Sequence, residues 1–259
     1  MKDPARHYEK YAEFRFYEEL NDFLPPAQCK QTLTYAFNGT PGIKDPIEVL
    51  GVPHTEVDLI IVNGESVGFN YQLQNADRVS VYPVLEGLDI TPVINLRDKP
   101  LRNTAFVADV NLGRLAKLLR LFGFDTLLAN NLSDKEIVEL AADQERIILT
   151  RDRRLLYAKK ATHGYCVRSV MPKQQLEEVF KRFNLANLLR PFSRCSRCNG
   201  LIDAVKKEEV LNLLQPKTKQ YYENFYRCRD CAQVYWEGSH VGKVKGHFSP
   251  YFSHVSRIQ

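Results

Sequence analysis

From residue 105 onward, short and almost wholly apolar runs alternate with amphipathic stretches, and no other feature narrows the possible folds as far. "AFVADV" reads as a buried strand, and "NLGRLAKLLRLFG" then places Leu112, Leu115, Ala116, Leu119 and Phe122 at helical spacing before Gly123 stops it. "DTLLA" is a second strand, Ser133 to about Glu145 a second helix, and "RIILT" a third strand. A helix through Leu155 to Lys160, a strand in "GYCVRSV" and a helix in "QQLEEVFKRF" complete the series. Strands without a polar face need cover on both sides, so the pattern predicts a parallel sheet between helices.

The chain before this point has a different period. "EFRFYEEL", "QTLTYAFNG", "VDLIIVNGESVGF" and "DRVSVYPVL" alternate as strands do, with Asn63-Gly64 as a hairpin signal. "DPIEVLG" reads as one helix, with Asp45 as cap, Pro46 at the first position and Gly51 as the stop. The polar, proline-containing "INLRDKPLRNTA" at residues 94–105 marks a boundary. Three domains are therefore expected, at residues 1–96, 103–190 and 191–259.

The first segment resembles the β-grasp, ubiquitin-like family of small sulfur carriers through "IEVLGVPHTEVDLIIVNGESVGF" and "DRVSVYPVLEG". Those carriers act through a free C-terminal Gly-Gly. Here only Gly87 stands at that place, and Leu88 and Asp89 follow, so an interaction module that binds a protein partner is expected instead of a carrier.

Charge divides the chain along similar lines. Residues 1–97 carry 8 Lys and Arg against 14 Asp and Glu, residues 98–190 carry 17 against 11, and residues 191–259 carry 11 against 6. The basic character thus lies in the C-terminal two thirds and favours a polyanionic partner there, with nucleic acid the commonest. No apolar run approaches the roughly 18 residues of a membrane span, and the opening residues lack the apolar stretch of a secretory signal, so a cytoplasmic protein with no membrane association is expected.

In a parallel α/β sheet the functional groups gather at the carboxyl ends of the strands. Asp109 ends the first strand, Asp152 follows the third, and Asp134 and Glu136 open the helix after the second. Carboxylates held a few ångströms apart repel, and a divalent cation such as Mg²⁺ or Mn²⁺ removes the conflict. Such an ion could activate water against a phosphodiester. Asp134 and Glu136 also suit a capping box behind Ser133, and Asp125 reads as a turn residue. Asp109 has no comparable local use.

"FVADVNLGRLAKLLRLFGFDT", "SDKEIVELA" and "RIILTRDRRLL", in that order, resemble the PIN-like ribonuclease domain of the Mut-seven C-terminal family. The resemblance implies RNA cleavage with the metal held by Asp109, Asp134 and Asp152, and a β-grasp domain in front of the nuclease is an arrangement of that family. Arg114, Lys117 and Arg120 recur every three residues on one side of their helix, and with Arg151 they are candidate phosphate contacts.

Cys195 with Cys198 and Cys228 with Cys231 form two C-x2-C pairs, the pattern of a zinc ribbon, although 29 residues separate them. Four thiolates close the tetrahedral shell of Zn²⁺, which makes the ion structural. Arg194, Arg197, Arg227 and Arg229 stand among Tyr221, Tyr222, Phe225, Tyr226, Tyr235 and Trp236, a mixture that suits RNA or the core of a small ribbon. Arg197, Arg229 and His240 are the candidate RNA contacts.

The whole reads as a multidomain α/β chain, a β-grasp domain, a PIN-like domain and a zinc ribbon. Its expected function is that of a metal-dependent ribonuclease acting on structured RNA, with tRNA as one candidate. The alternative is an RNA-binding adaptor in which the acids are structural.

Overall fold

The computed structural model describes residues 8–83 and 104–236. In chain order the first part contains β1 (Lys10–Phe16), β2 (Thr32–Phe37), α1 (Lys44–Val49), β3 (Leu59–Val62), β4 (Glu65–Val67) and β5 (Arg78–Tyr82). Next come β6 (Ala105–Asp109), α2 (Gly113–Leu121), β7 (Asp125–Ala129), α3 (Asp134–Asp143), β8 (Ile147–Thr150), α4 (Arg153–Leu156), β9 (Gly164–Cys166) and α5 (Pro172–Arg182). The last part holds β10 (Ile202–Val205), α6 (Lys207–Val210), α7 (Pro216–Tyr221), β11 (Phe225–Cys228) and β12 (Val234–Trp236). Among the described residues no helix is long and apolar enough to cross a membrane.

Two compact units divide the chain, and their borders cut across the three segments read from the sequence. One unit joins the described residues up to 83 to Asp134–Cys166; the other joins residues 104–133 to the described residues from 167 onward. Most of the boundary stretch at residues 94–105 lies outside the described residues.

In the first unit, β1 to β5 form one sheet in the order β2-β1-β5-β3-β4. The two central strands, β1 and β5, run parallel and the other pairs antiparallel. The period-two pattern puts Phe14, Phe16, Val79, Val81 and Ile60 on the buried face with Ile43 and Ile47 of the helix segment. Asn63 and Gly64 both have positive φ, as the β3–β4 hairpin requires. Helix α1 starts at Lys44 behind Ile43, so Asp45 lies in its first turn and is not its cap. Gly51 ends it with φ +110°, where Gly51 N–H bonds the Glu48 carbonyl and Val52 N–H the Ile47 carbonyl. The same unit contains the parallel pair β8 and β9, all of whose residues are buried.

In the second unit, β6 and β7 pair in parallel, with Ala105 opposite Asp125 and Asp109 opposite Ala129. Asp125 therefore opens the strand and is not a turn residue. Leu115, Ala116 and Leu119 of α2 are buried with Leu176, Val179 and Phe180 of α5, as their helical spacing predicts. β10, β11 and β12 form an antiparallel sheet around Val210, Leu214, Phe225 and Val234, with Tyr222 and Trp236 packed against them. Helices α6 and α7 lie between β10 and β11, and account for the long separation of the cysteine pairs.

Gly123 closes α2 at φ +93° while the chain at Arg190 crosses the helix end, its N–H bonding the Phe122 carbonyl. A Cβ at Gly123 would lie 2.1 Å from the Arg190 carbonyl oxygen. Gly123→Ala is expected to destabilise the fold by about 3 kcal/mol, through the left-handed backbone and the clash together. Urea unfolding checks it, and an unchanged midpoint would contradict the packing described.

Candidate functional site

Each predicted acid sits at the end of a strand or at the start of the helix that follows one. Asp109 is the last residue of β6, and its Oδ1 accepts the Asn111 N–H at 3.3 Å, which caps the 3-10 helix Val110–Leu112. The sequence reading gave this residue no local use, and the structure supplies one. Asp134 is the first residue of α3 and is exposed, as is Glu136 one position beyond Lys135. Carboxylates in that first turn also interact favourably with the helix dipole.

Asp152 lies two residues beyond β8 and caps α4, accepting the Arg154 N–H at 2.9 Å. The helix thus starts at Arg153 and not at Leu155, because the carboxylate in front of it satisfies an otherwise orphan amide. The Arg154 guanidinium then turns back onto the same carboxylate, with Nη2 2.7 Å from Oδ2 and Nε 3.1 and 3.2 Å from the two oxygens. These side-chain hydrogen bonds, with the backbone one, hold the Asp152 carboxyl below the usual carboxylate range. Arg154 is held protonated first by Asp152, with a further contribution from Asp134. Arg154 is thus the direct partner of Asp152, a pairing for which the two-residue spacing in "DRR" is the sequence signal.

The basic frame is only partly as expected. Arg114, Lys117 and Arg151 are exposed. Arg120 is 5% exposed, so it is not a surface phosphate contact: its Nε donates to the Thr126 carbonyl at 2.8 Å, and its Nη1 donates to the carbonyls of Ser196 and Arg197 at 3.2 and 3.1 Å. At about 100° per residue, six positions turn the helix face by about 120° from Arg114, which carries Arg120 round to the buried side. Its burial lowers the guanidinium pKa, against the opposing influence of Cys195, Cys198 and Asp125.

Arg120 thereby fastens one cysteine pair to α2 and β7, and other groups do the same. Asn199 Nδ2 donates to Asp125 Oδ1 at 2.8 Å, Thr126 N–H donates to Asn199 Oδ1 at 2.9 Å, and Arg194 pairs with Asp125 at 3.0 Å. Each C-x2-C turn is followed by a residue with positive φ, Asn199 or Ala232. The four thiols converge, with all four sulfurs within 4.8 Å of one another; Cys195 lies 3.6 Å from Cys231, and Cys198 3.4 Å from Cys228. All four cysteines are free thiols.

A tetrahedral Zn–S bond of about 2.3 Å implies sulfurs about 3.8 Å apart, so the donor set fits a metal ion of that kind. Burial pushes the Cys195 thiol up, but hydrogen bonds from the Tyr235 hydroxyl and the Cys198 and Arg197 backbone outweigh it and bring it to about 7. Burial raises the other three thiols, so together they need a cation to ionise.

Arg197 is exposed near this centre, whereas Arg229 is engaged with Asp203 through two hydrogen bonds of 2.5 and 2.7 Å. Of the aromatic residues, Phe225, Tyr222 and Trp236 belong to the ribbon core and Tyr235 bonds Cys195 Sγ at 3.0 Å, while Tyr221 is exposed. His240 lies outside the described residues.

A family model described as the Mut7-C RNAse domain matches residues 104–248, and one described as Mut7-C ubiquitin matches residues 9–89. No curated protein and no solved structure matches the chain.

Two predictions follow from this geometry. Arg154→Ala should raise the Asp152 pKa towards the ordinary carboxylate value, so that the carboxylate no longer persists to unusually low pH; carbon-detected NMR titration reads this directly. Arg120→Ala, which leaves three carbonyls without this donor, should destabilise the fold by about 3 kcal/mol in chemical denaturation.

Proposed function

We propose that this chain, which belongs to the Mut7-C RNAse domain family, is a metal-dependent ribonuclease that hydrolyses phosphodiester bonds in structured RNA, tRNA being one candidate substrate. The observation that carries the proposal is the family match itself, because it spans all three acids and all four cysteines. The ubiquitin-like domain in front of it matches the same family's fused arrangement.

On this reading Asp109, Asp134 and Asp152 hold Mg²⁺ or Mn²⁺, with Glu136 as a further oxygen donor. Hard carboxylate oxygens suit those ions, and Asp134 and Asp152 retain accessible surface to meet one. A bound ion supplies the Lewis acidity that lowers the pKa of a water and steadies the leaving oxygen. Hydrogen bonds from Arg154 hold the Asp152 carboxyl below the usual carboxylate range. Arg114, Lys117 and Arg151 are exposed cations that can bind phosphates, with Arg197 in the cysteine ribbon and His240 as additional contacts. Arg229 is a lesser candidate, since binding RNA would compete with Asp203. Zn²⁺ in the four-cysteine centre is structural, because four thiolates leave no open position for substrate.

The capping roles of Asp109 and Asp152 favour one competing reading, an RNA-binding adaptor in which both acids serve only the fold. Incubation with structured RNAs separates the two. The ribonuclease reading expects cleavage with Mg²⁺ or Mn²⁺, none with EDTA, and a loss of at least about 100-fold in Asp109→Asn and Asp152→Asn. Retention of RNA without turnover, weakened by salt and indifferent to metal, would establish the adaptor. Elemental analysis should find one zinc per chain, lost together with thermal stability in Cys228→Ser.

A further inference from the structure

The segment that carries Asp152 is gripped by the ubiquitin-like domain. Arg153 Nη2 donates to the Asp22 carbonyl at 2.8 Å, and its guanidinium stands 4.9 Å from the centre of the Phe23 ring. Thr55 Oγ1 donates to the Leu156 carbonyl at 3.3 Å, and the Tyr157 hydroxyl donates to the Gly51 carbonyl. Further along, His54 Nε2 donates to the Ala161 carbonyl at 2.7 Å, and Glu56 Oε1 accepts the Cys166 N–H at 2.5 Å. Every one of these residues belongs to the same compact unit.

The chemistry of the grip is specific. Thr55 and Glu56 have no exposed surface and His54 has 6%, although polar side chains reach such burial only with bonding partners. Their positions, in the 3-10 helix His54–Glu56, set three successive polar residues along the segment from the end of α4 to β9, on Leu156, Ala161 and Cys166. Helix α4 is only four residues long, too short to be stable by itself. What holds its last carbonyl, its first side chain and the tyrosine beyond it therefore also sets where its N-cap stands, and that N-cap is Asp152.

We infer that the ubiquitin-like domain is a positioning element of the ribonuclease region, fixing the turn from Asp152 to Tyr157 and through it the Asp152 carboxylate. Thr55, Arg153 and Tyr157 are the positioning residues, and none of them need touch RNA or metal. The inference rests on the proposed role of Asp152, but the holding of the turn is a separate physical fact with its own readout. It also assigns the domain a task inside its own chain, in place of recruiting a partner.

The test uses the full-length chain with Thr55→Val, Tyr157→Phe and Arg153→Ala, each read by amide hydrogen exchange over residues 152–157 and by steady-state RNA cleavage. Thr55 is wholly buried, so its variant cannot act by losing a contact with RNA, and Tyr157→Phe keeps its ring in case the valine variant folds poorly. Exchange over the turn should accelerate about tenfold in each variant, the scale of one lost hydrogen bond. The turnover number should fall by about tenfold at unchanged KM, as a misplaced ligand would cause, and Thr55→Ser should restore both values. Unchanged exchange in all three variants would overturn the inference, as would a rise in KM without a fall in turnover. A wild-type chain that cleaves no RNA would refute the ribonuclease reading instead, while the exchange result would still decide whether the domain holds the turn.

Discussion

Strands that are buried along their whole length must be covered on both faces, and much of this architecture follows from that requirement. β8 and β9 have no exposed residue, so the segment Asp134–Cys166 cannot stand as a free piece of sheet. Part of its cover comes from α3 and α4, and part from the 3-10 helix His54–Glu56 of the ubiquitin-like domain. The domain is joined to that segment by packing as well as by buried hydrogen bonds. This is why the compact units cross the borders that periodicity and charge suggest.

A comparable economy governs the other unit, where a buried guanidinium replaces an apolar contact. Arg120 ties the backbone of the first cysteine pair to β7, and Asp125, Asn199 and Arg194 complete the connection. The ribbon is therefore continuous with α2 and β7, and the four-cysteine cluster, which could hold a metal ion, is tied by hydrogen bonds to the start of β7. Removing a single member of such a network leaves the others buried and unpaired, which costs more than the bond itself contributes.

Elements whose side chains repeat with a clear period were legible in the sequence. α2, α5 and the parallel strands followed from spacing, the β3–β4 hairpin from Asn63-Gly64, the helix stops from Gly51 and Gly123, and the thiol cluster from paired C-x2-C. The misreadings have a common cause, in that each residue is used by a partner distant in sequence or by a local backbone group that periodicity does not register. Arg120 looked like its exposed neighbours Arg114 and Lys117, and only the turn of the helix separates it from them. Asp125 looked like a turn because its partners, Arg194 and Asn199, lie about seventy residues away. Asp109 and Asp152 were read for what they could bind, and their service as caps went unseen. Thr55 and Glu56 gave no signal at all, since a burial between distant segments leaves no local pattern.

The acids thus carry a double assignment, capping the chain behind them and, in the proposed function, presenting oxygens to a metal ion. At Asp152 the two roles compete, because the cap takes Oδ1 and the Arg154 guanidinium bonds both oxygens, so on the proposed reading an ion there shares the carboxylate with Arg154 or displaces it. The most direct measurement of the central claim is the anomalous scattering of crystals soaked in Mn²⁺. The account predicts manganese bound by Asp109, Asp134 and Asp152 and absent from a crystal of Asp152→Asn, whereas manganese found elsewhere, with the three carboxylates splayed apart, would contradict it.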